Sequence, residues 1–459
     1  MRIPDGVAKI IRTLKQQGHQ VFVVGGCVRD LLLGSEPADY DLATSATASE
    51  IASYFPKTVP IGEKHGTIAV LIDGFSVEVS TFKWVAPAAS AERGGSTAGK
   101  GDAPGTGRSS LSGLEQDLAL RDFTINAMAI DASGTLIDPF GGADDLRQQV
   151  LRSPSDEAEQ RIIEDPLRML RAVRFCCTLG FSMSRSVYEA IVKRYDLLQR
   201  VAPERVREEL NRILLSERPA KGIRLLLETG LLGQVMPEAV LMAGFEQYSK
   251  HHDKDVFEHA MAVLEASPPR LAVRLAALLH DIGKPRTFSI DKKGAGHFYS
   301  HHQAGGSMAI EILKRLKYDN KTIEKVSMLV AEHMSRFPKV RDKTLKRLIS
   351  RVGEDNLADL FDLQRADILG SAPPYDFSLL EAMRVEIARI LSEKQPLRVQ
   401  DLAINGHDLL ALGFSPGPEI GRLLERLLAE VLENPEKNNP AVLLKMAGEY
   451  LSAPDSTRW

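Results

Sequence analysis

The 459-residue chain carries 58 Lys plus Arg against 61 Asp plus Glu, a net charge of −3, and 44% of its residues are hydrophobic. That length allows several domains with sizeable cores, while the near-neutral balance excludes a uniformly basic nucleic-acid binder, so any RNA contact must come from local basic faces. The 3 cysteines, Cys27, Cys176 and Cys177, show no CxxC spacing, which argues against a disulfide framework or a structural zinc.

Residues 1–19 place Ile3, Val7, Ile10, Ile11 and Leu14 at helical spacing interrupted by charge. This predicts an amphipathic helix and not a signal peptide. No apolar run approaches membrane-spanning length, so a soluble, cytoplasmic protein without membrane contact is expected. Val21–Val24 reads as a buried strand ended by Gly25 and Gly26, with the first turns of a helix over 28–33. Gly-Gly offers backbone without Cβ atoms and free N–H groups at a helix start, where a polyphosphate can sit. Asp39 and Asp41 follow with one residue between them. On an extended segment that spacing puts both on one face, as two Mg²⁺ ions bridging phosphate oxygens require.

GGCVRDLLLG followed by DYDLATSATASEI resembles the head-domain signature of the class II tRNA nucleotidyltransferases, which include CCA-adding enzymes and bacterial poly(A) polymerases. The resemblance implies an α+β chain: a polymerase-β-like nucleotidyltransferase head over 1–150, then an all-α neck (151–220), body (221–395) and tail (396–459). It implies Asp39 and Asp41 as catalytic carboxylates holding Mg²⁺, with the nucleotide beside Gly25, Gly26 and Arg29.

A helix is predicted over 47–54, a strand over 66–72, a hairpin turn at Asp73-Gly74, and an alternating strand over 75–82 with Glu78 at its centre. The superfamily places a third carboxylate on such a strand, which makes Glu78 the candidate; an exposed strand glutamate is the plain alternative. Residues 86–113 are rich in Gly, Ser, Ala and Thr and read as a flexible loop. Relatives carry a loop here that helps the switch from C to A addition, but this one is long and weakly patterned. RDFTINA, residues 121–127, resembles the family's second motif, which implies that Arg121 and Asp122 contact the triphosphate and ribose, with Asn126 beside them. Leu120 stands where many relatives have a first arginine. In residues 136–146, Pro139 stiffens a hinge, Gly141-Gly142 bends it, and Asp138 or Asp145 can cap neighbouring backbone.

Residues 161–181 read as opening a helical region in which Glu164, Asp165 and Arg168 share a face and Pro166 is tolerated in the first turn. Arg168, Arg171 and Arg174 form a basic line beside the apolar stripe. EDPLR resembles the family's EDxxR motif, which implies that Asp165 and Arg168 read the Watson–Crick edge of C or A. Residues 201–215 resemble the motif that braces the neck, with Glu204, Arg205 and Glu209.

Eight of the 11 histidines lie between His251 and His333. His259, His280-Asp281 and Asp367 resemble the ligand set of an HD domain, with His301 and His333 as ligands of a second ion. Imidazole plus carboxylate suits Ni²⁺, Mn²⁺ or Co²⁺ better than Mg²⁺ alone, and Gly283 is expected to let the chain turn away from the metal. Residues 336–351 are a basic stretch that is either a solvated face or a phosphate contact. Pro416-Gly417-Pro418 opens an amphipathic helix in a tail like the one that grips tRNA in HD-bearing relatives.

The expected reaction is transfer of CMP or AMP from CTP or ATP to an RNA 3′-hydroxyl, with full CCA addition to tRNA as the leading reading. Partial CC or A addition or poly(A) synthesis is its nearest rival. A metal-dependent HD phosphohydrolase acting on RNA ends is the alternative of a different class. The residue pattern sets no oligomeric state.

Overall fold

The computed structural model describes residues 3–62, 66–82, 113–245, 254–292, 296–337, 339–393 and 395–452. The flexible loop expected at 86–113 lies, apart from Gly113, outside the described residues. The chain divides into two compact units, Met1–Val201 and Ala202–Trp459.

The first unit is built on one seven-stranded sheet. Helix α1 (Asp5–Gln16) buries Val7, Ile10, Ile11 and Leu14, the stripe read from the sequence. Strand β1 (Val21–Val24) leads through Gly25 into α2 (Gly26–Leu32), which starts two residues earlier than expected. Strand β2 (Asp41–Thr44) precedes α3 (Ala48–Tyr54), whose cap is a Thr47–Glu50 capping box. Then come β3 (Thr58–Gly62), β4 (Thr67–Ile72) and β5 (Phe75–Thr81). Asp73 and Gly74 both have positive φ, +49° and +82°, as a tight hairpin turn of the primed type demands.

Helix α4 (Gly113–Ala119), the short strands β6 (Ala129–Ile130) and β7 (Leu136–Ile137), and helix α5 (Gly142–Gln148) follow. The sheet order is β3-β4-β5-β2-β1-β6-β7. Within this sheet β2 and β5 are the parallel pair, and their register sets Asp41 beside Glu78. Strand β3 escapes a sequence reading because it contains Pro60 and Gly62; it is tolerated because it forms the sheet edge.

In residues 136–146 the two aspartates read as cap candidates divide their partners. Asp138 caps α5, accepting from the N–H groups of Gly142 and Ala143 at 2.7 and 2.9 Å. Asp145 instead accepts from the Thr124 hydroxyl at 2.6 Å and from Arg152 Nε at 3.2 Å. A Cβ on Gly142 would stand 2.2 Å from the Thr124 carbonyl oxygen. Gly142→Ala is therefore expected to lower stability by about 1–3 kcal/mol or more, read as a lower denaturant midpoint at unchanged slope.

Strand β8 (Val150–Leu151), helices α6 (Ala158–Glu164) and α7 (Arg168–Thr178), strand β9 (Ser182–Met183) and helix α8 (Arg185–Arg194) complete the unit. Here one expectation fails: Glu164, Asp165 and Arg168 do not share a helix face. Asp165 is extended, with φ −142° and ψ 94°, and separates α6 from α7. The cause is Pro166, whose ring drives the preceding residue out of the helical region.

The second unit is almost wholly helical. The helices Val256–Ala266, Leu271–Leu279 and Glu354–Gly370 pack on one another, and Asn320–Glu332 packs on His301–Arg315 and Leu271–Leu279. Gly283 lies in the turn that follows the helix Leu271–Leu279, as expected, and its φ is −78°. Its role is close approach: a Cβ there would meet the His301 carbonyl oxygen at 2.2 Å. In the tail, Pro418 is the first residue of the helix Pro418–Glu433, which buries Leu423, Leu424, Leu427, Leu428, Val431 and Leu432. Among the described residues no helix is long and apolar enough to cross a membrane.

Candidate functional site

Three carboxylates stand near one another where β2 and β5 run side by side. Asp41 opens β2 and is half-buried, Glu78 sits beside it on β5 and is exposed, and Asp39 lies two residues before Asp41 on the exposed approach. Burial first, then the Glu78 carboxylate, pushes Asp41 up to about 6; Asp39 adds to this and Arg121 opposes it. Oxygen donors of this kind are what a hard divalent cation takes, although the ligand atoms of these three residues do not close to within 4.8 Å of one another.

Gly25 closes the site from β1. Its φ is +84°, and a Cβ would fall 2.6 Å from Arg121 Nη1 and 3.6 Å from an Asp41 oxygen. The positive φ is what requires glycine, and the missing Cβ also lets the Arg121 guanidinium lie close. Arg121 is steadied by Asp117, 3.3 Å away one turn earlier.

Behind this lies a connected polar network. Asp122 is buried. Its Oδ1 accepts from Phe123 N at 2.8 Å and Asn126 Nδ2 at 2.9 Å, and its Oδ2 accepts from Arg171 Nε at 2.8 Å. Burial pushes its carboxyl up, but Arg171, Asn126 and the Phe123 amide outweigh that and hold it below the usual range. Asn126 Oδ1 in turn accepts from Arg29 Nη1 at 2.8 Å. The Phe175 ring is shared by three guanidinia, with Arg174 at 4.2 Å, Arg29 at 5.2 Å and Arg171 at 5.9 Å from its centroid. Both Asp122 oxygens are therefore engaged within the protein, by bonds that the motif did not reveal.

Arg168 Nη2 donates to the Leu120 carbonyl at 2.7 Å and Nη1 to the Arg161 carbonyl at 2.9 Å. Asp165 Oδ1 accepts from Leu167 N at 3.3 Å in the joint between α6 and α7. Arg161 was not singled out in the sequence, yet it is buried, pairs with Glu164, and reaches the Arg121 carbonyl at 3.4 Å. Only the lone charge on the otherwise buried face of α6 could have signalled it.

Among the described residues, the groups of three ligand atoms that close to within 4.8 Å of one another lie in the helical unit: His259, His280 and Asp367, and Asp281, His301 and His333. The structure thus brings together all six residues read as ligands there. Asp281 faces both trios. Its Oδ2 lies 3.2 Å from His280 Nε2 and 3.7 Å from His259 Nε2, and its Oδ1 lies 3.4 Å from His301 Nε2 and 3.9 Å from His333 Nε2.

The imidazoles share one arrangement. The Nδ1 atoms of His259, His280, His301 and His333 lie 2.7–3.3 Å from the carbonyl oxygens of Gly370, Ala277, Phe298 and Val330. With Nδ1 as donor, each Nε2 becomes an acceptor aimed at its neighbours, the tautomer a metal needs. His301 Nε2 is buried without a hydrogen-bond partner. Burial and the nearby His280 push His333 down to about 3, so its ring is neutral. The donor set fits a pair of transition-metal ions sharing a carboxylate. Two cations complete the wall, Lys284, missed in the sequence, and Arg336, the first residue of the basic stretch: Lys284 Nζ is 2.7 Å from Asp281 Oδ2, and Arg336 Nη2 is 2.8 Å from Asp367 Oδ2. Other members of the basic stretch are tied down as well, with Lys343 and Arg347 both on Glu433 and Arg351 on Glu332.

The family model described as "Poly A polymerase head domain" matches residues 21–152. Those described as "Probable RNA and SrmB- binding site of polymerase A" and "tRNA nucleotidyltransferase domain 2 putative" match 180–242 and 300–447. The crystal structure of the Bacillus stearothermophilus CCA-adding enzyme in complex with CTP shares the fold, with a TM-score of 0.68, 28% identity and 98% of each chain covered. A sheet-built nucleotidyltransferase head followed by a helical remainder is thus the class of this fold.

Over 433 residues, 91% of this chain and 92% of the relative, the sequence is 34% identical to the A-adding tRNA nucleotidyltransferase of Deinococcus radiodurans. The chain belongs to the tRNA nucleotidyltransferase family. It is also 43% identical to the CCA-adding enzyme of Geobacillus stearothermophilus over 222 residues, a match spanning 48% of this chain and about half, 52%, of that relative.

Proposed function

We propose that this protein adds CMP and AMP from CTP and ATP to the 3′ end of tRNA, completing CCA. The observation that carries the reading is Asp41 held beside Glu78 across the parallel β2–β5 pair, with Asp39 and the Gly25 turn adjoining it. The proposal keeps the head at 1–150, neck at 151–220, body at 221–395 and tail at 396–459. Asp39, Asp41 and Glu78 would hold Mg²⁺, which when bound lowers the pKa of the RNA 3′-hydroxyl and neutralises charge on the triphosphate and departing pyrophosphate. Gly25 and Gly26 leave room for the triphosphate to approach the backbone, and Arg121 offers it a guanidinium. Arg29, Asn126, Asp122, Arg171 and Arg174 fix the shape of that wall through their mutual bonds and the Phe175 ring.

Asp165 and Arg168 are the proposed readers of the base edge. Arg168→Ala is expected to raise misincorporation of UMP and GMP relative to CMP and AMP by about one to two orders of magnitude, the worth of a lost bidentate pair. Triphosphate affinity should change less. Unchanged exclusion of UTP and GTP in single-nucleotide assays would remove Arg168 from that role.

CCA addition is favoured over CC-only, A-only or poly(A) synthesis by likeness to CCA-adding enzymes, although two extensively covered relatives are A-adding and CC-adding. Extension of tRNA transcripts ending in the discriminator base, in C or in CC, with CTP and ATP supplied separately, decides among them.

A second reading attaches to the helical unit, an HD-type phosphohydrolase acting on RNA ends. Six clustered ligands with one carboxylate facing both trios favour it. His259, His280, Asp367 and the trio Asp281, His301 and His333 would hold Ni²⁺, Mn²⁺ or Co²⁺, which supplies an activated water when bound. In the reaction the water oxygen bonds to phosphorus, the ester P–O bond breaks, and the leaving alkoxide takes the water's proton. Lys284 and Arg336 stand where they can balance phosphate charge.

A further inference from the structure

The histidine cluster opens into a cavity of about 830 Å³. Its wall includes not only ligands and cations but the hairpin strand Gly296–Phe298 and Tyr299. Along this segment side chains alternate. Phe298 turns to the interior, against Phe288 at 5.5 Å and Phe245 at 6.3 Å, with Lys284 Nζ 5.6 Å from its centroid. His297 and Tyr299 therefore share the other face. Their rings stack at 5.1 Å and 15°, and His297 is fixed in turn by Asp291, 3.0 Å from its Nε2.

Tyr299 is 70% exposed. An aromatic ring that is orientationally fixed, solvated and set at the rim of a polar cavity is unusual, because folding gains nothing by leaving that area in water. Ser300 follows it in the left-handed region at φ +58°, a conformation costly for serine. That turn brings Tyr299 at the rim and His301 in the cluster, two residues apart, onto one cavity.

We propose that Tyr299, backed by His297, is a nucleobase platform, so that the cavity takes a base-bearing phosphoester with its base on the ring and its phosphate at the histidine–aspartate cluster. The proposal rests on the phosphohydrolase reading for what happens to the phosphate, but not for where the base sits. Stacking suits every base. Specificity at this site is then for the presence of a base and not for its identity.

The full-length protein with added Mn²⁺, Ni²⁺ or Co²⁺ is assayed for release of phosphate from AMP and from ribose 5-phosphate and for opening of 2′,3′-cyclic AMP; His280→Ala with Asp281→Ala gives the background. In parallel it is photolabelled with 8-azido-AMP and the modified peptide mapped. Wild type is expected to prefer AMP over ribose 5-phosphate in kcat/KM, and Tyr299→Ala to shrink that preference about tenfold, chiefly through KM. Tyr299→Phe should restore it. Label is expected on the peptide bearing Tyr299 and should be competed by AMP but not by ribose 5-phosphate. Labelling there without hydrolysis of any substrate would overturn the phosphohydrolase reading and leave the platform standing. No labelling of that peptide, or a base preference unchanged in Tyr299→Ala, would overturn the platform.

Discussion

Asp41→Asn is expected to abolish nucleotide addition, with a loss of at least about a thousandfold in CMP incorporation and tRNA binding largely retained. The magnitude follows from removing a charged oxygen from the donor set meant for Mg²⁺, an effect of several kcal/mol at about 1.4 kcal/mol per decade. Asp39→Asn should act in the same direction. The same substitution is expected to stabilise the metal-free protein. Asp41 titrates at about 6 in the folded chain against 3.8 ordinarily. The folded state therefore binds more protons between those values than the unfolded state does, and stability falls as pH rises through that window. The penalty is complete above about pH 6. With EDTA present, Asp41→Asn should raise Tm at pH 7.5 and leave it nearly unchanged at pH 3. Mg²⁺ should stabilise the wild type more at pH 7.5 than at pH 5. Wild-type addition rates in Asp41→Asn would remove the carboxylate trio from the reaction.

The second large effect concerns the helical unit. His280→Ala with Asp281→Ala is expected to eliminate metal-dependent phosphoester hydrolysis while nucleotide addition stays within about twofold. Asp281 alone faces four imidazoles and Lys284, so its loss disconnects both trios. The double substitution also removes the partner of Lys284, and circular dichroism and a melting curve should accompany the assay to separate loss of fold from loss of site. Where the fold is lost, Asp281→Asn, which keeps the shape, carries the test. A wild type that hydrolyses nothing with Ni²⁺, Mn²⁺ or Co²⁺ would leave the cluster a structural one.

Much of this architecture was legible because its signals are local. Val21 to Asp41 encodes strand, glycine turn, helix and paired carboxylates within a span where each residue type has one dominant physical reading. The hairpin at Asp73-Gly74 and the cap at Thr47 are equally self-contained. The histidine cluster was legible because six residues of one chemical class recur in an apolar setting. What stayed hidden depends on partners distant in sequence. Strand β3 exists because β4 pairs with it, against the preferences of Pro60 and Gly62. Pro166 was read as a tolerated helix residue, yet its effect on Asp165 breaks the helix. That Asp122 would spend its oxygens on Asn126 and Arg171, 4 and 49 residues away, no spacing announces. The turn at Gly283 was legible, but the close approach that also requires glycine there was not, since the carbonyl it admits belongs to His301.

The Asp122 network sets a rule for building chimeras from relatives with different additions. Arg171 comes from α7, Asp122 and Asn126 from the turn after α4, and Arg29 from α2. A crossover placed between α2 and α7 separates donors from acceptors that fit only as a set. Grafting α6 and α7 alone from an A-adding relative would join foreign guanidinia to a native buried carboxylate, and an inactive hybrid would then report a broken joint and not a misread base. Crossover points before Gly25 and after Phe175 keep the set in one parent, and only hybrids built that way can show where nucleotide choice resides.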